Sequence, residues 1–310
     1  MRSHLTWRHV SWLAVALVIA AAALLFVRLP DSPPNRGGAA PMTDPLSTVE
    51  DFAAALRPDA PYRAPEPDES RALVAAVTRL GRQGGTTSSA AAEPAPPGFR
   101  TGTGVDPSTG RKFAILSSTP NDERGWGLYI VDLSAPPSIS VQVPHPRADL
   151  HTESIGVALF RRSPGAVLMV AGTHRRVGHG AGDVAHRPDS MFHALAEEQS
   201  RQGLPQIQLH GFDDTSLPDA DVIVSSGAGA HGKDHAGIAN RLKDAGLRVC
   251  AAWRARCGQL EGRRNQQGIA AGGQDTTFVH VEISRNVRDD PDRWRPLVDV
   301  LAATDFRARG

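Results

Sequence analysis

The chain has almost no net charge. Over 310 residues, 34 Lys and Arg stand against 33 Asp and Glu, which leaves +1, and the arginines are scattered rather than gathered in a stripe. That excludes the basic field which neutralises phosphates, and with it a nucleic-acid partner. Cysteine is scarcer still: two residues are too few for a thiolate zinc site. No G-x-S-x-G occurs, so Ser190 and Ser284, although near histidines, carry no serine-hydrolase signature. "SSGAGAHG", residues 225–232, lacks the lysine and spacing of a Walker loop and reads as a connection. No internal repeat is visible.

What is present begins with enough apolar sequence, 40% of residues, to bury one good-sized core. Near the N-terminus, Trp12 to Val27 carries no charge, with Arg2 and Arg8 before it and Arg28 after. With Val10 and Ser11 the run is about 18 residues, near the lower limit for spanning a bilayer and longer than a signal-peptide core. No small-residue cleavage pattern follows directly, so the reading is an uncleaved signal anchor over 1–28, with a cleaved signal peptide as the alternative. The leading positive charge would place the remainder outside the cytoplasm, at the cell membrane or, after cleavage, secreted. Cys250 and Cys257 then sit in a compartment that permits a disulfide; two buried free thiols are the other reading.

Residues 29–98 read as a Pro/Gly/Ala-rich linker with weak helical patterns in 49–56 and 70–80, and the folded domain is expected from Phe99 to the end. Short apolar runs at 113–117, 127–133, 139–143, 167–171, 206–209, 222–225, 247–251 and 278–283 alternate there with helical patterns. These lie at Thr152–Arg162, 192–199 and 236–245, and in a last helix whose stripe is Trp294, Leu297, Val298 and Leu301. The fold class expected is α/β: a three-layer αβα sandwich with a mixed, largely parallel central sheet.

Ten of the twelve histidines fall between His145 and His280, several where a strand gives way to a loop, the place where open α/β sheets gather their functional groups. His145 ends "ISVQV" between Pro144 and Pro146, with Asp149 four residues on. An imidazole and a carboxylate from one short loop suit zinc. His210, ending "QIQLHGF", is the third ligand expected, and Gly211 lets the backbone turn closely there. In "TTFVHVEIS", alternation puts Phe278, His280 and Glu282 on one face of a central strand. A buried carboxylate there is costly unless paired or functional, and beside a metal it is a general base. The competing reading pairs Glu282 with Arg285 or Arg288.

"PHPRADLHTESIGVAL", "QLHGF" and "HVEIS" resemble, in order, the metal motif, strand-end histidine and glutamate strand of poly-gamma-glutamate hydrolases and N-formylglutamate amidohydrolases. The resemblance spans roughly residues 141–288. It implies a zinc-carboxypeptidase-like fold, zinc on His145, Asp149 and His210, and Glu282 as base. "PHP" departs from the usual glycine-rich turn, which leaves His151 and Glu153 as alternatives to Asp149. "GTHRRVGHGAGDVAHRPDSMFHAL" occupies the position of a substrate-binding arginine motif: Arg175 is a clamp for a substrate carboxylate, and Asp183 and His186 would bind substrate or orient a ligand. Arg285 is a further candidate for substrate charge or a developing oxyanion; Arg264 and Asn265 lie in a polar loop. The expectation is an exported, membrane-anchored zinc amidohydrolase or carboxypeptidase-like enzyme. Its substrates would be acylated amino acids, gamma-glutamyl peptides or cell-wall peptides. The rival is a non-catalytic surface protein binding metal or wall on the same fold.

Overall fold

Alternation in the strands decides where the site lies. In a computed structural model describing residues 43–83 and 94–306, the strands are β1 (Phe99–Val105), β2 (Lys112–Ser118), β3 (Leu128–Asp132), β4 (Ser140–Val143), β5 (Val167–Val170), β6 (Gln206–Phe212), β7 (Val222–Ser225), β8 (Val249–Ala251) and β9 (Phe278–Ser284). The helices are α1 (Pro45–Ala55), α2 (Pro67–Arg82), α3 (Thr152–Arg162), α4 (Met191–Arg201), α5 (Lys233–Asp244), α6 (Gln266–Gly273), α7 (Arg285–Arg288) and α8 (Pro291–Ala302). All strands join one sheet in the order β1-β2-β3-β5-β4-β6-β9-β7-β8.

The sheet is mixed, and parallel pairing is confined to β5-β4-β6-β9 and to β7-β8. The β1-β2-β3 meander joins β5 antiparallel, and β7 runs opposite to β9. The expectation of a largely parallel sheet is corrected accordingly. The meander connections are too short for the crossover that a parallel pair requires.

Each sheet face carries its own hydrophobic cluster. Val141, Val143, Leu168, Val170, Ile207, Leu209, Val279 and Val281 pack on one side with residues of α1, α3, α5 and α8. Val167 and Met169 pack on the other with α2 and α4. Between β4 and β9 that second face turns polar: Ser140, Gln142, Gln206, Gln208, His210, His280 and Glu282 are all buried there. Period-two alternation therefore sends apolar residues to one side and a continuous polar seam to the other.

The domain starts earlier than Phe99. Val49, Phe52 and Leu56 belong to the first cluster, and Leu73, Ala76, Val77 and Leu80 to the second. Long-range bonds also hold this segment: the Asn121 amide donates to the Ala55 carbonyl at 2.7 Å, and Ser154 donates to Glu50 at 2.8 Å. Residues 45–82 are thus core-forming rather than linker. β1, unforeseen, is an edge strand with two glycines and an arginine. Among the described residues no helix is long and apolar enough to cross a membrane; the Trp12–Val27 run lies outside them. Cys250 and Cys257 form a disulfide. Ser190 and Ser284 are helix caps, accepting the backbone N–H of His193 and Val287.

Candidate metal centre

Three neighbouring strands, β4, β6 and β9, deliver the site. β4 ends at Val143, and its loop turns back so that the N–H groups of Ala148 and Asp149 donate to the His145 carbonyl at 3.0 and 2.8 Å. This places His145 and Asp149 side by side. His210 is the fifth residue of β6, which runs on to Phe212, so it lies within the strand rather than at its end. In β9, Glu282 is the register partner of His210, and His280 that of Gln208.

The imidazoles converge on one carboxylate oxygen. Asp149 Oδ2 is 3.3 Å from His145 Nδ1 and 3.3 Å from His210 Nδ1, and all three side chains are buried. Both Nε2 atoms point away, that of His145 to Asp183 Oδ1 at 2.8 Å and that of His210 to Gln208 Oε1 at 2.7 Å. Ligating histidines characteristically keep their second nitrogen on a carboxylate or carbonyl in this manner. His145, Asp149 and His210 offer donor atoms within 4.8 Å of one another; His210, His280 and Glu282 form a second such group.

The electrostatics show what this cluster needs. Burial alone would lower the His145 pKa, but Asp149 and Asp183 outweigh it and raise it. For Asp149 burial is likewise the largest influence, opposed and overcome by the two imidazoles, which hold the carboxyl well below its usual range. Burial lowers His210 to about 4. Glu282 is pushed well above the usual carboxylate range by burial and then by the charge of Asp149. Its Oε2 has no hydrogen-bond partner, nor has Nδ1 of His280, and the contact between His280 Nε2 and Glu282 Oε1 is long at 3.9 Å. A cation at the convergence point offsets both influences on Glu282. Two imidazoles and a carboxylate, leaving a position open, are the donor set of a catalytic zinc site. The residues fit the group.

Arg175 lines the cleft, with its guanidinium on Asp183 at 3.1 Å and 3.8 Å from Asp149 Oδ1. His186 also reaches Asp183, at 3.1 Å. Asp183 thus gathers His145, Arg175 and His186. Arg285 does not enter the cleft: it pairs with Asp289 on the exterior, because α7 starts there and turns the side chain outward. Arg288 gives no ion pair to Glu282 either. Its guanidinium donates to the backbone carbonyls of Ile283, Phe212 and Leu150, passing under Gly211, where any Cβ would collide with it. Of the alternatives to Asp149, His151 is half-exposed and faces Asp289 at 3.5 Å, and Glu153 is buried outside the cluster.

A cavity of about 320 Å³ is lined by the three donors and by Gln259, Leu260, Arg264 and Asn265 from the segment that follows the disulfide. Gln208 and His280 were not singled out from the sequence. The signal is there in "QIQLH" and "FVHVE", where polar residues recur at every second position of strands too central to be solvated.

No protein-family model matches the chain, and no curated protein does. Solved structures similar to it include a zinc-free YndL at 14% identity and TM-score 0.37, covering 63% of this chain and 89% of that one. Another is a metallo-carboxypeptidase from Pseudomonas aeruginosa at 15% and 0.35, covering 66% and 64%. A third is an aspartoacylase family protein from Mesorhizobium loti at 12% and 0.37, covering 67% and 68%. At these scores the likeness carries no conclusion about activity, which rests on the residues themselves.

Proposed function

We propose that the protein is a zinc-dependent hydrolase of amide bonds, with the three-layer zinc-carboxypeptidase-like architecture that its motifs resemble. The observation that carries this is Glu282: a buried carboxylate with an unpartnered oxygen, in register beside His210 and lining the same cleft as His145, Asp149 and His210. A site that only bound metal would have no use for a second, uncompensated carboxylate whose burial is costly.

His145, Asp149 and His210 would hold the zinc, which when bound would supply a Lewis acid for the scissile carbonyl. Glu282 accepts the proton of the attacking water and delivers it to the leaving amine. Arg175, fixed by Asp183 yet reaching the cavity, offers its guanidinium to a substrate carboxylate or to the developing oxyanion. Acylated amino acids, gamma-glutamyl peptides and cell-wall peptides are the substrate classes to which this reading extends. Export with an N-terminal anchor is part of the proposal, supported by the Trp12–Val27 run and by the disulfide, which is rare in reducing compartments.

The test is amine release by the full chain from N-acyl amino acids, gamma-glutamyl peptides and muramyl peptides. Activity should stop on chelation and return with zinc. A zinc-loaded protein inert towards all three classes would favour the non-catalytic binder instead. Fractionation of cells should leave the chain in membranes; a soluble form beginning near residues 30–40 would show cleavage.

A further inference from the structure

The polar seam beside the metal site is not a collection of separate contacts. Gln208 Oε1 faces His210 Nε2 at 2.7 Å and also accepts from the Asn265 amide. Gln208 Nε2 donates to Gln142 Oε1 at 2.9 Å and to Gln267 Oε1 at 3.1 Å. Gln142 Nε2 in turn donates to Gln206 Oε1 at 2.5 Å and to Ser140 at 3.3 Å. These residues are essentially inaccessible to water, so each polar atom must find its partner within the seam.

An amide side chain looks nearly the same when its oxygen and nitrogen are exchanged, and only its neighbours decide the orientation. Here the backbone decides it at three ends. Gln206 Nε2 meets the Ala196 carbonyl at 2.9 Å, a group that only accepts. Gln267 Nε2 meets the Val184 carbonyl at 3.0 Å. Asn265 Oδ1 caps α6, accepting the N–H groups of Gln267 and Gly268 at 3.0 and 3.1 Å. Followed inward, each anchor gives the same polarity for Gln208, nitrogen towards Gln142 and Gln267, oxygen towards Asn265 and His210. Reversing Gln208 would set oxygen against oxygen on two sides and N–H against N–H on a third.

We infer that this amide relay, through Gln208 as a positioning residue, writes the tautomer of His210: Nε2 carries the proton and Nδ1 presents its lone pair to the metal. The inference rests on His210 being a ligand, as proposed above. An unprotonated Nε2 would oppose the lone pairs of Gln208 Oε1 in a dry site, where an unmade hydrogen bond is most costly. With Gln208 absent, Asp149 beside Nδ1 would draw the proton there, onto the atom that has to bind. The sequence therefore sets ligand polarity from the Asn265 and Gln267 end of the seam, at α6, with the α4 arm in agreement; neither helix supplies a proposed ligand.

The test is the ring-nitrogen spectrum of His210 in the ¹⁵N-histidine-labelled full chain. In the zinc-free wild type the proton should be on Nε2, and added zinc should shift Nδ1. Gln208→Met, similar in volume but without the acceptor, should move the proton to Nδ1 and weaken zinc binding by about 10–100-fold, the usual cost of losing a partner behind a ligand. Gln142→Met should leave the tautomer and zinc affinity as in the wild type, because the Gln267 and Asn265 anchors still orient Gln208; a packing role alone would make the two variants equivalent. An Nδ1–H tautomer in the zinc-free wild type, or ligation through Nε2, would overturn the relay even if both variants failed to fold. A His210 spectrum indifferent to zinc, with the proton on Nε2, would overturn the metal assignment and leave the relay standing.

Discussion

His210 and Glu282 are direct register partners on the adjacent parallel strands β6 and β9, so a proposed ligand and a proposed base are held by the same ladder of backbone hydrogen bonds. Glu282→Gln keeps the shape of the carboxylate but cannot take a proton from water. Turnover should fall by about 10²–10⁴-fold, with zinc content and secondary structure as in the wild type. Wild-type turnover in a zinc-loaded Gln variant would end the general-base assignment.

Removing a ligand should have the opposite signature. His145→Ala and His210→Ala each leave two donors, and metal content after dialysis should drop from about one zinc per chain to a small fraction. Elemental analysis beside a circular dichroism spectrum separates loss of metal from loss of fold. Full zinc in both variants would show that the ion sits elsewhere.

Glu153 provides a prediction in pH. It is buried in α3, and burial above all raises its pKa from 4.5 to about 7. The folded protein therefore keeps a proton that the unfolded chain releases in this window, and stability falls as pH rises through it. Below 4.5 the penalty is absent; above 7 it is complete, on the order of 3 kcal/mol for a shift of this size. Glu153→Gln should unfold in urea at the wild-type midpoint at pH 4 and at a clearly higher midpoint at pH 8. Equal midpoints at pH 8 would mean that the carboxyl is solvated.

The disulfide closes a short loop, with Cys257 seven residues on from Cys250, and chain-entropy reasoning gives about 2 kcal/mol for such a loop. Cys250→Ser with Cys257→Ser should lose roughly that much. Because Gln259 and Leu260 on the cavity wall follow directly, KM should rise more than kcat falls. A change confined to kcat would place this segment in the chemistry instead.

The grouping of the candidate site residues was legible where strand alternation and loop spacing carry it. His145, Asp149, His210 and Glu282 stand out because charge at the centre of an apolar strand, or four residues beyond one, has few inexpensive explanations. The role of α1 and α2 was hidden by composition. Proline and glycine around them read as spacer, although Leu73, Ala76, Val77 and Leu80 make a clear stripe; what they cover, β2 and β3, is named only by tertiary structure. Arg285 misled because adjacency to Glu282 says nothing of direction once a helix begins between them. The glutamines were overlooked for a related reason: an isolated Gln reads as solvated, and only four elements packed together turn several of them into one oriented chain.

The placement of β6 and β9, inside a sheet that continues on both sides, has a consequence measured in time. Backbone amides here are released to solvent only when the whole sheet opens, whereas those of β1 and β8 at the edges exchange through local fraying. Deuterium uptake at Leu209 and Val281 should therefore be among the slowest in the molecule and should report global stability. Under the proposed function, the movements that admit a substrate would therefore be expected in the loops around the sheet rather than in β6 and β9.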